Sequence, residues 1–568
     1  MQVSVSELIV QYLERLGVAC IFGMPGAHVL PIYDRLRDSR VKSVLVKHEQ
    51  GAAFMAGGFS RISQQVSACI ATAGPGATNL ITGIANAYAE RQPVLVITGE
   101  TSTYIFGKGG LQESSGEGGA IDQGALFASI TRYHKLIERT DYLGQVLNQA
   151  TRALFANESG PVLLSIPYNV QKEMVDTAVL DQVHFPARAG RAGFPLTAAI
   201  QPDVPSSVVA LAEQIAVARY PVIVAGYGCI RAGAREAVAQ LSRALNIPVA
   251  SSLKAKGVVA EGEGLSLGCL GVTSDGAARC YITEQADLVI FLGAGFNERT
   301  SYLWDARLLA DKRVVQVDRD AAQLGKVFRP DLAIQGDIGE VLAQLQAVLV
   351  QRPISARALD RFVQHGHVAR MDEGSAQGDG FRLMAHFFAT LAHRFPEEAL
   401  VFDDNIVFAQ RYFDVSHANH YFPNSGISSL GHAIPAAIGA QFYVQAQRGR
   451  EGMPAFAILG DGGFQMCCME IMTAVNYGIP LNVVVINNGT MGLIRKNQFQ
   501  LYGERYIDCD FVNPDFALLA ASLGVRHARI TCEADVDEVF AQANLTGEIN
   551  LIEILLDKHV FPTYLSAR

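Results

Sequence analysis

The stretch from Gly460 to Asn488, GDGGFQMCCMEIMTAVNYGIPLNVVVINN, decides how this chain is read. The apolar run Ala455–Leu459 meets a turn made of Gly460, Asp461, Gly462 and Gly463. A helix-like segment, Phe464–Asn476, follows, then Gly478-Ile479-Pro480. The strand-like run Leu481–Ile486 ends in Asn487 and Asn488. Strand, turn, helix, turn, strand is a crossover unit, and crossovers join parallel strands. Such sheets bind ligands beyond the carboxyl ends of their strands, where Asp461 and Asn488 both fall. Two oxygen ligands on neighbouring loops suit a hard cation such as Mg2+, which completes its shell with phosphates and water. The glycines let backbone approach a diphosphate whose charge the metal offsets. A lone Asp here would simply cap the next helix. The Asn at the neighbouring strand end argues for the cation.

Working outward, a chain of 568 residues is too long for one core and predicts two to four domains. With 49% hydrophobic and 18% charged residues and 53 glycines, it reads as a soluble α/β protein rather than a disordered or fibrous one. A net charge of −9 without a basic run argues against nonspecific nucleic-acid binding. Nine scattered cysteines with no CxxC pair fit a reducing compartment and no structural zinc. The opening MQVSVSELIVQYLERLGV has acidic residues and helical apolar spacing, as a folded helix does and a signal peptide does not. No run of about 18 apolar residues would span a membrane. The expected setting is the cytoplasm.

Residues 1–184 alternate helix-like and strand-like stretches, as a parallel sheet requires. A helix at Ser6–Leu16 leads into a strand at Ala19–Phe22 and the turn Gly23–His28. A strand at Ser43–Val46 leads into KHEQGAAFMAGGFSR, Lys47–Arg61, which sets Glu49 at a strand end and a helix start. There a carboxylate favours the helix dipole whatever else it does. The strand Ser67–Ala71 runs into the glycine turn TAGPGATN, Thr72–Asn79. Residues 185–350 form a second unit after a Pro/Gly/Ala-rich join. In it PVIVAGYG, Pro221–Gly228, opens a glycine turn before a helix at Ala232–Leu245. Such a turn alone is a weak nucleotide signal, because many α/β folds have one without a ligand. Residues 351–379, with Pro353, read as a linker, and residues 380–568 as a third α/β unit.

Taken together these motifs resemble the thiamine-diphosphate enzymes, and within them the acetolactate synthase-like branch. FGMPGAHVLPIYDRL (Phe22–Leu36), RQPVLVITGE (Arg91–Glu100), GPVLLSIPYNVQ (Gly160–Gln171) and NSGISSLGHAIPAAIGA (Asn424–Ala440) extend the resemblance over almost the whole chain. It implies three doubly wound parallel-sheet domains: pyrimidine-binding, middle FAD-type and diphosphate-binding. The implied cofactors are thiamine diphosphate, Mg2+ and FAD. The implied metal ligands are the Asp461 and Asn488 side chains and the carbonyl of Thr490. Glu49 takes the place of the carboxyl that contacts a pyrimidine ring nitrogen of the cofactor. That role calls for desolvation, which the small residues Gly51, Ala52, Ala53, Ala56, Gly57 and Gly58 behind it would supply. Further implied cofactor contacts are Pro25, Gly26, Thr72, Asn79, Asn405, Ser428, Gly460, Gly462, Gly463, Met491 and Gly492. Leu430 falls where a bulky apolar residue wedges under the cofactor and holds it bent.

In the middle domain the resemblance places FAD at Gly226, Gly228, Leu253, Lys254, Gly271, Gly293, Arg299, Asp318 and Asp337. It also associates Arg299 with the carboxylate of an acceptor keto acid. Because the family's two cofactor-binding halves meet between protomers, it implies a homodimer or homotetramer.

Several positions depart from the family. Gly295 replaces an arginine, Thr273 a histidine, and Asn405-Ile406-Val407 a Gly-Gln-His. Leu111-Gln112-Glu113 stands for Phe-Gln-Glu and is followed by an extra stretch, Ser114–Ala120. Asn497 occupies the place of a tryptophan, which frees volume and adds hydrogen-bonding capacity. His28 stands where acetolactate synthases carry a small apolar residue, as in the turn of benzaldehyde lyase. A histidine suits proton relay to a carbonyl near neutral pH; a solvent-facing turn residue is the alternative.

The expected catalytic group is Glu49, His28, Gln112, Leu430, Arg299 and Asn497. The expected reaction decarboxylates pyruvate or a related 2-keto acid donor and transfers the two-carbon unit to a second carbonyl. Alternatives are a pyruvate oxidase, a 2-hydroxyketone lyase, or a catalytically inactive flavin-binding scaffold. No nucleic acid or membrane partner is expected.

Overall fold

The computed structural model describes residues 1–186, 205–358, 381–417, 420–448 and 452–562. Most of the expected joins at 185–204 and 351–379, with the polar stretch 371–380, lies outside these. The chain still packs on its second unit at Arg357, whose carbonyl accepts from Asn246 Nδ2 at 2.8 Å.

Three six-stranded sheets follow one another along the chain, and every strand pair within them is parallel. The first runs, edge to edge, Lys42–Leu45, Cys20–Gly23, Ser67–Ala71, Val94–Glu100, Val162–Pro167, Tyr133–Leu136. The third has the same winding: Tyr421–Pro423, Leu400–Asp403, Ala455–Gly460, Leu481–Asn487, Ile549–Leu555, Arg526–Ile530. The middle sheet differs: Ser266–Cys269, Val249–Ser251, Pro221–Ala225, Leu288–Leu292, Arg313–Asp318, Leu332–Gln335, the order of a dinucleotide-binding sheet. The central strands are buried along their length and read as near-continuous apolar runs, as parallel strands covered on both faces do. Among the described residues no helix is long and apolar enough to cross a membrane.

One expected helix is broken and another shortened, for local reasons. Instead of Phe464–Asn476 there is a helix Asp461–Cys467, a 3-10 turn Cys468–Glu470 and a helix Ile471–Tyr477. The break turns Glu470 inward, where its carboxylate accepts from the amides of Lys47 (3.1 Å) and His48 (3.0 Å) and from Thr473 Oγ1 (2.7 Å). In the middle domain the helix expected from Ala232 starts later, at Arg235, because Gly233 at φ +60° sets it off from a short preceding helix, Tyr227–Arg231.

The first and third sheets share one apolar core. At its centre the helix Glu49–Ser63 lies against the helix Ala433–Arg448 with backbone touching backbone. A Cβ on Gly58 would collide with the carbonyl of Ala436, and one on Gly439 with the carbonyl of Met55. The small residues behind Glu49 therefore permit contact: Gly51 admits Glu470, Gly57 admits the amide of Gln92, Gly58 admits the partner helix. An ion pair closes one end, Arg61 to Glu90 at 2.9 Å, with both side chains buried. Gly58→Ala is expected to cost more than about 3 kcal/mol, beyond the usual overpacking range because neither backbone can retreat. An unchanged denaturation midpoint would contradict this packing.

Candidate active site

The first cluster sits at the carboxyl ends of the first sheet. Glu49 begins its helix, fixed by the carboxylate of Glu470 on the two preceding amides. Half-buried, it accepts from Asn79 Nδ2 at 2.9 Å through Oε2, and a Cβ on Gly76 would lie 3.5 Å from its Oε1. Gly26, after Pro25, packs on Thr72 so closely that a Cβ would lie 2.5 Å from the threonine Cβ. Thr72 Oγ1 lies 3.3 Å from His28 Nδ1 and 3.3 Å from Gln112 Oε1. With the hydroxyl donating to Gln112, the imidazole bonds through an Nδ1–H tautomer and keeps Nε2 as acceptor. The sequence-predicted His28, Glu49, Thr72, Asn79 and Gln112 are thus brought to one sheet end.

Gln112 takes a left-handed backbone, φ +58°, beside Gly74 at φ +60°. Its neighbours anchor it. Glu113 accepts from the amides of Gly107 and Gly110, which hold its carboxyl below the usual range. Ser114 donates to the buried Glu100 at 2.9 Å and accepts from Gly74 N at 3.1 Å. The extra stretch Ser114–Ala120 is a tight hairpin, closed by Gly116 N on the carbonyl of Ile121. Left-handed Gly116, Gly118 and Gly119 make that turn possible.

The second cluster is built on the third sheet. Asp461, 1% exposed, is pushed above the usual carboxylate range by burial. Its Oδ2 is committed to three donors: Asn488 N (3.0 Å), Gly489 N (2.6 Å) and Asn513 Nδ2 (2.7 Å). Among the described residues Oδ1 meets only Gly462 N, at 2.9 Å, so this oxygen retains capacity for a cation. Asn488 Oδ1 accepts from Thr490 N at 3.3 Å, and Thr490 Oγ1 is tied to the carbonyl of Cys509. Gly462 packs on Met491 and Gly492 on Asn488, while a Cβ on Gly460 would meet open space. Among the described residues no three His, Cys, Asp or Glu could jointly hold a metal. One carboxylate with amide and backbone oxygens fits Mg2+ shared with a diphosphate. Asn513 was not foreseen; its link to Asp461 spans 52 positions.

Between these lies the turn Ser425–Leu430. Asn86 of the first domain accepts from Ile427 N at 3.2 Å, and Asn405 Nδ2 donates to the carbonyl of Ser428 at 3.3 Å. Asn405 and Ser428 are both left-handed, φ +65° and +56°. Leu430 protrudes half-exposed beside Gly463. Arg299 reaches this turn from the middle domain, 3.4 Å from Asn405 Oδ1 and 3.4 Å from Gln410 Oε1. Asn497 lies half-buried on the helix Gly492–Leu501 that leaves the Asn488–Thr490 loop.

The other middle-domain positions are more self-contained. Gly226, Gly228 and Gly293 close two strand ends on each other, backbone against backbone. Leu253 is buried, and Lys254 lies 3.7 Å from Glu90 of the first domain. Asp337 caps the helix Ile338–Gln351 and pairs with Arg319, while burial raises Asp318. Gly271 and Gly295 leave room beside the Arg299 segment.

Family models match in the order of the three sheets. Residues 3–120 match the thiamine pyrophosphate enzyme N-terminal TPP-binding domain, 208–345 the central domain and 404–554 the C-terminal TPP-binding domain. A probable acetolactate synthase large subunit of Methanocaldococcus jannaschii is 32% identical, covering 97% of this chain and 92% of that protein. An acetolactate synthase of Mycobacterium bovis is 32% identical over 97% and 87%, respectively. The acetolactate synthase isozyme 2 large subunit of Escherichia coli is 30% identical over 94% and 92%. On that evidence the chain belongs to the thiamine pyrophosphate enzymes, in their acetolactate synthase-like branch, and is an enzyme dependent on thiamine diphosphate.

Proposed function

We propose that the protein decarboxylates pyruvate or a related 2-keto acid and transfers the two-carbon unit to a second carbonyl. Thiamine diphosphate, when bound, supplies the electron sink for that chemistry. Asp461 and Asn488, with the Thr490 carbonyl, would hold Mg2+ and with it the diphosphate; Glu49 would hold and release a proton at its carboxyl beside the pyrimidine end; Leu430 would give the cofactor apolar support. His28, with Nε2 free to accept, serves proton transfer at the substrate carbonyl. The observation that carries the ligase reading is Arg299. Its guanidinium, set against Asn405 at the Leu430 turn, offers a carboxylate-bearing acceptor a bidentate partner. The flanks of both clusters expose apolar side chains, Leu111 at 79%, Met466 at 61% and Met469 at 53%. That supports a homodimer or homotetramer in which the site forms between protomers. The nine cysteines, none of them in a disulfide, support a reducing, cytoplasmic setting.

The acceptor tests the reading. With Asn497 in place of an indole, the pocket is wider and wetter than one built for short aliphatic keto acids. One methylene discriminates by only about 1–3 kcal/mol, whereas an unpaired buried polar group discriminates far more. Asn497→Trp is therefore expected to narrow the acceptor range toward small keto acids, and Arg299→Ala to lose preference for carboxylate-bearing acceptors. Acceptor panels for the two variants separate these effects. A profile unchanged by Asn497→Trp removes this residue from the pocket.

FAD in the middle domain is part of the same proposal, supported by the dinucleotide strand order and by Asp318 and Asp337 at successive strand ends. Purified protein is expected to be yellow, with flavin absorbance constant through turnover because ligation needs no net redox change. A colourless preparation that takes up no added FAD would sink the assignment. Bleaching by pyruvate coupled to oxygen reduction would point to an oxidase.

A further inference from the structure

One buried carboxylate touches both cofactor-facing turns of the third domain and has no part in the chemistry above. Asp404 follows the strand Leu400–Asp403 and is 2% exposed. Its Oδ2 accepts from Gly431 N at 2.7 Å; its Oδ1 accepts from His432 N at 3.3 Å and Asn424 Nδ2 at 3.0 Å. The two amides immediately follow Leu430. On the other side, a Cβ on Gly463 would lie 2.8 Å from Asp404 Oδ2, so the carboxylate also abuts the turn that begins at Asp461. Asn424 continues the clamp, donating from the same Nδ2 to the carbonyl of Ser429. Leu430 is thus gripped through the residues before and after it.

We propose that Asp404 is a positioning residue: its ionised carboxylate holds the Leu430 turn in register with the Gly460–Gly463 turn, and turnover requires that form. The inference rests on the reading of Leu430 as the support of the cofactor. A carboxylate accepts strongly at both oxygens, whereas protonation turns one of them into an O–H, removes the charge that strengthens these bonds and weakens the grip on the amides. Burial pushes Asp404 up to about 7, so the clamp changes state near neutrality. Of the groups that face it, the adjacent Asp403 shifts into a neighbouring range, and the Asp404 variant separates the two. Asp403, on its own strand, is raised by burial to about 6 and bound by Tyr421, Ile406 N and Gln410. Cys467, from the helix Asp461–Cys467, is kept protonated by burial, well above the usual thiol range. His432 is held down at about 4 by burial, its ring turned to Phe54.

Stability runs the opposite way from function. A carboxyl raised from 3.8 to about 7 binds its proton more tightly folded than unfolded. Its contribution to stability is therefore full at low pH and is lost as pH rises through that window. Asp404→Asn removes the buried charge at nearly unchanged side-chain volume and keeps one carbonyl oxygen to accept from these donors. A merely structural role would lower Tm in this variant; a positioning role lowers turnover without doing so.

The test uses full-length protein saturated with thiamine diphosphate and Mg2+, read from pH 6 to 8.5. In the unmodified enzyme kcat is expected to fall below about pH 7 while cofactor stays bound. Asp404→Asn is expected to lower kcat at pH 8 by roughly 10–100-fold, the range for groups that orient a functional residue. KM for pyruvate, thiamine diphosphate affinity by calorimetry and Tm should hold, and the acidic limb should disappear. A flat kcat profile in the unmodified enzyme overturns the proposal, as does an unchanged kcat or a collapsed Tm in the variant. Leu430→Ala separates the underlying reading. If it leaves kcat intact, the role of Leu430 fails; if it lowers kcat while Asp404→Asn does not, only this inference fails.

Discussion

Glu49→Gln is expected to reduce turnover by roughly 10²–10⁴-fold, the range a positioned acid or base supplies, while leaving the fold and cofactor affinity nearly unchanged. The amide keeps the length of the side chain, and its carbonyl can still accept from Asn79, which donates to Glu49 Oε2 at 2.9 Å. The start of the helix is fixed independently by Glu470 on the amides of Lys47 and His48. What the amide lacks is a proton that it can exchange with the cofactor's pyrimidine ring. The loss should therefore fall on kcat, measured at saturating thiamine diphosphate, with calorimetric affinity within a few-fold. Substantial residual turnover would show that another group starts the chemistry.

Asp461→Ala is expected to abolish the metal-dependent part of cofactor binding. The site holds a single carboxylate, so its removal leaves the diphosphate charge against amide and carbonyl oxygens alone. Removing a group that only orients a metal ligand costs about 10–100-fold, and that is the effect expected of Asn513→Ala, which frees Asp461 Oδ2 from one of three donors. Loss of the ligand itself should exceed about 100-fold. Calorimetry with and without Mg2+ checks both. Equal affinity for thiamine diphosphate in Asp461→Ala and the unmodified protein, with the metal present, would refute the ligand assignment.

The sheets and the strand-end residues were legible because their signals are local. Ala455–Leu459 followed by Asp461, and Leu481–Ile486 followed by Asn488, state in a few residues that two parallel strands end side by side. The same holds for Glu49 after its strand and for Thr72 after Ser67–Ala71. What escaped was the set of side chains that hold these ends in place, because their partners are remote: Glu470 is 423 positions from Lys47, and Asn513 is 52 from Asp461. Glu470 also explains why the helix after Asp461 breaks, which its apolar spacing did not reveal. The pair Asp403-Asp404 did carry a signal, two acids at a buried strand end, where an uncompensated carboxylate is costly. The small residues after Glu49 were visible as sites of close packing, but their partner was not: Gly58 meets Ala436 and Gly439 meets Met55 across nearly 400 positions of chain, helix against helix.

The central claim, cofactor-dependent ligation of a keto-acid donor to a second carbonyl, is tested most directly by mass spectrometry of products formed from carbon-13-labelled pyruvate. The reactions contain thiamine diphosphate, Mg2+ and a panel of aldehydes, ketones and keto acids. The account predicts release of labelled CO2 together with a product carrying two labelled carbons joined to one class of acceptor, both abolished when the cofactor is omitted. Pyruvate left intact with every acceptor, or converted to acetate with consumption of oxygen, would contradict it.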